Sequence, residues 1–384
     1  MAVLVLSNDV VPGFGVPVAA PGLRSSGIAA GLRSHGFDVE LAVPADVLRL
    51  AGADTESPPA GAVVIELPKL MGHIESSGID WVVFTNANLT PHLRPTGDVR
   101  YVYDLFAPKM LERLASPTPE PEWDALTAQK ERALALADLV WVNGKRKLGY
   151  ALGWMMRPNV NEQRLKMGKS SIFEHDPSLQ LQLVEMPVIT PEGSPVVSAS
   201  SNGDQRRIGI GGYAQLWSVL EQVHPAHTAL SSAGHALHCL LPQHWSAGAT
   251  PAPDSALPPE TVIEYGPLML NEFHEWVRSM DVMVDVFAQS SERRLAMITR
   301  SAVALGWGVP VIHGVDSEVS DIITEYDAGW VETSIDPARW RAIAEEVSDP
   351  AIIERKRAGA KAAQERFNPH IALTEAASRL RELA

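Results

Sequence analysis

The feature that most constrains this chain is a rhythm that runs twice. Short apolar, β-branched runs alternate with stretches of helical periodicity, first in one half of the chain and then in the other. Continuous apolar runs read as strands buried on both faces, and strands separated by helices pair in parallel through crossovers. The first half offers "AVLVLSND" (2–9), "DVELAV" (38–43), "AVVIELP" (62–68), "WVVFTN" (81–86), "VRYVYD" (99–104) and "LVWVN" (139–143). The second offers "RIGIGG" (207–212), "ALHCLLP" (236–242), "TVIEYG" (261–266), "DVMVDVF" (281–287) and "VPVIHG" (309–314). The implied class is α/β, with two doubly wound, Rossmann-like sheets.

At 384 residues the chain exceeds what one core usually holds. The stretch "VEMPVITPEGSPVVSASSNGDQRR" (184–207) is rich in proline, serine and glycine, so its middle reads as a seam. The expected division is a first domain over 1–190, a linker over 191–207 and a second domain over 208–366. The remaining 367–384 is helical in pattern and is expected to return to the first domain. Two such sheets facing each other make a cleft at the carboxyl ends of their strands, where ligands of open α/β sheets bind.

Composition narrows the classes. A net charge of −14 opposes general binding to nucleic acid or to an anionic membrane surface, though a local basic patch can still recruit a small anion. Cys239 is the single cysteine, so no intrachain disulfide forms and a reducing cytoplasm is expected. The N-terminus "MAVLVLSNDV" lacks the pattern of a signal peptide, and no apolar run has membrane-spanning length. The basic and apolar "GKRKLGYALGWMMRPN" reads as an amphipathic surface helix, which leaves peripheral membrane contact open. No Walker loop, G-x-S-x-G elbow or H-E-x-x-H motif is present. His224, His227, His235, His238 and His244 crowd Cys239, but their spacing does not match a structural zinc site, and no metal is expected.

Several stretches suit a ligand. Gly13, Phe14 and Gly15 follow the first strand, where glycines admit a ligand to the backbone. They read as an acceptor-binding loop or as a plain β–α connection. In the helix beyond, Gly27, Ala30 and Gly31 suit tight packing on the sheet. Asn86 and Asn88 end another strand; their amides can bind sugar hydroxyls or cap a helix. Asp104 ends "YVYD", where a carboxylate can orient a hydroxyl, take its proton, or cap the next helix. In the second half, Gly211, Gly212 and Tyr213 form a strand-end glycine turn able to cradle oxygens. Gly266, Pro267 and Leu268 follow a strand and can offer backbone groups to a base.

The stretch "SSERRLAMITRSAVALGWGVPVIHG" reads as a capped helix, a glycine turn and a strand. Leu295, Ile298, Ala302 and Leu305 fall on its core face. Ser291, Glu292, Arg293, Arg294 and Arg300 gather near its start. Cations there cost an isolated helix about 0.3–1 kcal/mol, so a bound diphosphate or a nearby carboxylate is needed to explain them.

Taken in order, the glycine turn, "YGPLMLNEFHEWVRSMDVMVDVF", "SSERRLAMITRSAVALGWGVPVI" and "YDAGWVE" resemble the retaining glycosyltransferases of the GT-B fold, family 4 type. The resemblance covers essentially the whole chain and is firmest from Ile208 to Trp330. It implies a hexosyl transfer from a nucleoside-diphosphate sugar (UDP-, GDP-, ADP- or TDP-linked) to a glycan, lipid-linked or small-molecule hydroxyl. It also implies retained configuration, no resident cofactor, an acceptor on the N-terminal domain and a donor on the C-terminal one. This chain departs from the pattern. The usual arginine and lysine are missing from "GGYAQLW", and the places of two usual glutamates hold Leu295 and Val303. The nearest place to the family's N-terminal histidine holds Tyr103–Asp104. Arg293, Arg294 and Arg300 are the expected replacements around the diphosphate. Two other readings stay open: a nucleotide-sugar epimerase, and a catalytically silent homologue serving as partner subunit.

Overall fold

The computed structural model describes residues 1–115, 119–191, 205–211, 220–241, 258–265, 268–287 and 289–384. They form two units. Unit 1 is Met1–Ile189 with Pro369–Ala384, and unit 2 is Thr190–Asn368.

Unit 1 is built on a parallel sheet of β1 (Ala2–Leu6), β2 (Asp38–Pro44), β3 (Ala62–Ile65), β4 (Trp81–Phe84), β5 (Arg100–Leu105), β6 (Leu139–Val142) and β7 (Leu181–Leu183). Their spatial order is β3-β2-β1-β4-β5-β6-β7. β4 and β6 are buried at every position, which is why they read as unbroken apolar runs. Leu4, Leu6, Val82, Phe84, Tyr101 and Tyr103 share one core with Leu134 and Leu136 of the helix Glu120–Leu136. The chain winds outward from β1 in one direction and from β4 in the other. The carboxyl ends of β1 and β4 therefore flank the point where the topology switches, and the register Leu6↔Phe84↔Tyr103 brings three strand ends level.

The C-terminal segment Pro369–Ala372 packs on the helix Ala20–Ser34, and Arg381 of the helix Thr374–Leu383 donates to the His35 carbonyl at its end. Gly31 allows this contact: a Cβ there would stand 2.4 Å from the Pro369 carbonyl and 2.8 Å from Leu373. Gly27 lies in the same way against Pro187. The small residues of this helix thus admit these two segments, where the sequence pattern had suggested the sheet.

Unit 2 is a parallel sheet of β8 (Arg207–Gly211), β9 (Ala236–Leu241), β10 (Val262–Tyr265), β11 (Val282–Asp285), β12 (Val311–His313) and β13 (Gly329–Val331). Its order is β10-β9-β8-β11-β12-β13, so the same switch falls between β8 and β11. Its core gathers Ile208, Val282, Val284, Ile312 and Trp330 with Trp340, Ile343 and Val347.

The stretch expected as one helix from residue 291 is two. Ser291–Leu295 is a single short helix, Ala296 turns extended at φ −74°, ψ 138°, and a second helix runs over Thr299–Gly306. Ala296, Met297 and Ile298 are buried in succession. Ile298 is extended as well, at φ −68°, ψ 105°, so the helical hydrogen-bond ladder is interrupted between the two helices.

Candidate functional site

A cavity of about 320 Å³ opens at the switch point of unit 1. Asn8 and Asp9 after β1, Thr85, Asn86 and Asn88 after β4, and Tyr103, Asp104 and Phe106 around the end of β5 line it. Lys109, Glu112, Gln129 and Lys130 close the far side. Its walls are held by local hydrogen bonds. The Ser7 hydroxyl donates to the Asp9 carbonyl and accepts from the Asp9 N–H, while the Val10 N–H donates to Asp9 Oδ1 at 2.7 Å. Asn86 Oδ1 accepts from the Asn88 N–H at 3.2 Å, capping the turn Ala87–His92. Asn86 thus caps and lines the cavity at once.

Asp104 is wholly buried, and its carboxylate is bound on both oxygens by Arg24: Nη2–Oδ1 is 2.8 Å and Nε–Oδ2 is 3.1 Å. Arg24 also donates to the carbonyls of Val184 and Glu185. Both oxygens of Asp104 are taken up by the buried Arg24 guanidinium, so the pair it forms builds the cavity wall. Gly13, Phe14 and Gly15 do not line this cavity. Phe14 is 2% exposed, and Gly13, at φ +101°, lies so close to Pro59 that a Cβ would meet it at 2.7 Å. The glycines serve the path of the loop, and its earlier residues Asn8 and Asp9 face the cavity.

The residue missed by sequence reasoning is Lys130. It is 4% exposed, and its Nζ donates to the Tyr150 hydroxyl at 2.8 Å. The ammonium lies 4.4 Å from the Tyr150 ring and 4.8 Å from the Trp154 ring. Burial, helped by repulsion from Lys147 and opposed by Glu112, lowers its pKa to about 7. In the sequence Lys130 is one charged residue in "TAQKERALAL", on a helix whose neighbours are polar. Nothing there marks it as buried.

In unit 2 the arginines divide. Arg293 is 7% exposed and bound through Nε and Nη2 to both oxygens of Glu292, with its guanidinium 5.5 Å from the Phe287 ring. Arg294 is exposed and 3.5 Å from Asp316. Arg300 donates to the Gly211 carbonyl at 2.6 Å, sits 3.4 Å from Asp285 and covers the Phe287 ring at 4.4 Å. The Ser290 hydroxyl caps the short helix by accepting from the Arg293 N–H at 3.1 Å, while Ser291 is exposed. Helix Ser291–Leu295 is too short to build a useful dipole, so its start offers less to an anion than the expected longer helix would.

Behind Arg300 lies a buried polar chain. Ser301 Oγ donates to Asp285 Oδ2 at 2.5 Å and stands 2.9 Å from His313 Nδ1, and His313 Nε2 is 2.9 Å from Ser317 Oγ. Burial lowers the His313 pKa to about 4, so the imidazole is neutral at physiological pH. Leu268 is half-buried ahead of the helix Leu270–Arg278. Gly212, Tyr213, Gly266 and Pro267, also expected on the donor side, lie outside the described residues.

No protein-family model matches the chain, and no curated protein matches it. Solved structures do. Sucrose-phosphate synthase from Thermosynechococcus elongatus is 12% identical with a TM-score of 0.66, the match covering 100% of this chain and 98% of that one. WaaG, a glycosyltransferase involved in lipopolysaccharide biosynthesis, is 12% identical at a TM-score of 0.56, covering 99% of both chains. A glycosyltransferase from Rickettsia africae is 10% identical at 0.55, covering 100% and 98%. The chain has the GT-B fold, with two parallel-sheet Rossmann-like domains.

Proposed function

We propose that this protein is a glycosyltransferase that moves a hexosyl group from a nucleoside-diphosphate sugar to a hydroxyl acceptor, with retained anomeric configuration. The observation that carries the reading is the amide- and carboxylate-lined cavity at the unit 1 switch point, of a size for a monosaccharide. Its fold likeness to solved glycosyltransferases supports it, and the resemblance in the second half supports retention and the donor class.

On this reading Asn86 and Asn88 orient the acceptor, since an amide offers donor and acceptor to a hydroxyl. The Arg24–Asp104 pair fixes the cavity wall. On the donor side Arg300 and Arg294 meet the diphosphate, while Arg293 is held beside them in the chain by its pair with Glu292. Charge gathers on the diphosphate as its bond to the sugar breaks, and guanidinium groups already in place lower that barrier. The departing phosphate oxygen can take the acceptor proton, so no side-chain base is required.

Incubation with UDP-, GDP-, ADP- and TDP-sugars and a panel of hydroxyl acceptors tests this. Nucleoside diphosphate released only when acceptor is present, with product of unchanged anomeric coupling by NMR, is the expected result. Interconversion of donor sugars without acceptor, or no release with any pair, would overturn it.

A further inference from the structure

The cavity of unit 1 holds a cation that hydroxyl binding does not need. Lys130 is nine-tenths buried, lines the cavity, and has no carboxylate at ion-pair distance among the described residues. Among the described residues its hydrogen bond goes to a phenol, and two aromatic rings flank the rest of its head. Burying an ammonium without a counter-ion is unfavourable, and an anion that pairs with it offsets part of that cost. We propose that the acceptor is a hydroxyl compound of monosaccharide size bearing a carboxylate or phosphate, and that this anionic group pairs with Lys130. The inference rests on reading the cavity as the acceptor site.

The surrounding charges fit. Asp104 is neutralised by Arg24. Lys147, wholly buried, donates to the Phe106 carbonyl and to Asn143 Oδ1, and its charge repels that of Lys130. Lys109 stands on the same rim. Asp9 and Glu112 are the opposing carboxylates; Asp9 is committed to the Val10 N–H, and Glu112 attracts Lys130 from beyond ion-pair distance. Tyr150 and Tyr103 are phenols whose pKa values burial raises, so they stay neutral and bring no charge. The amine is part-deprotonated near pH 7 in the free protein. An arriving anion favours the ammonium, so binding above that pH takes up a proton, and affinity falls as pH rises.

Calorimetric titration of the full chain with glucose, glucuronate and glucose 6-phosphate, in the absence of donor, tests the proposal. At least one anionic probe should bind about tenfold or more tightly than glucose, as a charge-assisted bond would require. Lys130→Met should abolish that preference, and Lys130→Arg should keep part of it. Titration at pH 8 in two buffers of different ionisation heat should show proton uptake with wild type and none with Lys130→Met. Comparison of glucuronate with glucose 6-phosphate tells carboxylate from phosphate. Melting temperatures of both variants check folding. No preference for either anion, no anion binding, or a preference that survives Lys130→Met would overturn the inference. Transfer to neutral acceptors alone would sink it while leaving glycosyl transfer standing; anion binding without any transfer would do the reverse.

Discussion

Each unit places a buried aspartate at or next to the end of a strand and beside an arginine, and the two pairs are used differently. Asp104 and Arg24 are both wholly buried, joined by two hydrogen bonds, and Arg24 spends two more N–H groups on the carbonyls of Val184 and Glu185. Asp285 is as deeply buried, but Arg300 has a quarter of its side chain exposed and stands at 3.4 Å. Its remaining reach goes to one carbonyl and one aromatic face. Asp285 is served instead by Ser301. The lesson is that an arginine's role depends on how many of its donors the protein has already occupied. Arg24 is a rivet with four of its five N–H groups already bonded inside the protein, whereas Arg300 is held loosely enough to exchange a partner.

The comparison can be broken most sharply at the rivet. Arg24→Met leaves Asp104 buried without its cation, and should destabilise unit 1 by about 3–5 kcal/mol, read by denaturant unfolding. A loss under about 1 kcal/mol would mean that the pair is not what fixes this wall. Next comes acid. His313 has a folded pKa of about 4 against an ordinary 6.5, so the unfolded chain binds the extra proton first. Its contribution is present above pH 6.5 and is lost as pH falls from there towards 4, by roughly 3 kcal/mol in all. Melting curves of wild type across that range should slope accordingly, and His313→Asn should flatten them.

Arg300→Gln should weaken nucleoside diphosphate binding by about 1.5–3 kcal/mol, measured as loss of the ligand-induced melting shift, with a much smaller change in the ligand-free protein. A large loss of intrinsic stability would make Arg300 a second rivet. The smallest effect belongs to Arg294. Its exposed contact with Asp316 should cost no more than about 0.5 kcal/mol when Arg294→Ala removes it. Its loss should nonetheless reduce the melting shift given by the preferred nucleoside diphosphate. An unchanged shift would remove Arg294 from the diphosphate site.

Much of this was legible in the chain. The runs at 81–86 and 139–143 contain β4 and β6, because a strand buried on both faces must be apolar throughout. β7 and β13 were not legible: they are edge strands reading LQL and GWV, without the fully buried apolar run that marks the equally short β12. The amides at 86 and 88 were readable as strand-end groups, and the structure brings both to the cavity. The break at Ala296–Ile298 was not legible, because apolar periodicity continues across residues whose backbone turns extended.

What the sequence by itself determined is the alternation, and with it two parallel sheets whose strand ends gather ligand-competent residues. Local pattern suffices there, since apolar spacing and crossover sterics act over short stretches of chain. Tertiary structure alone decided which charges are spent. Asp104 meets Arg24 across 80 positions, Arg300 meets Gly211 across 89, and Lys130 loses its water to Tyr150 and Trp154. Desolvation and pairing depend on neighbours distant in sequence, so a carboxylate, an arginine or a lysine acquires its chemistry only when the chain has closed around it.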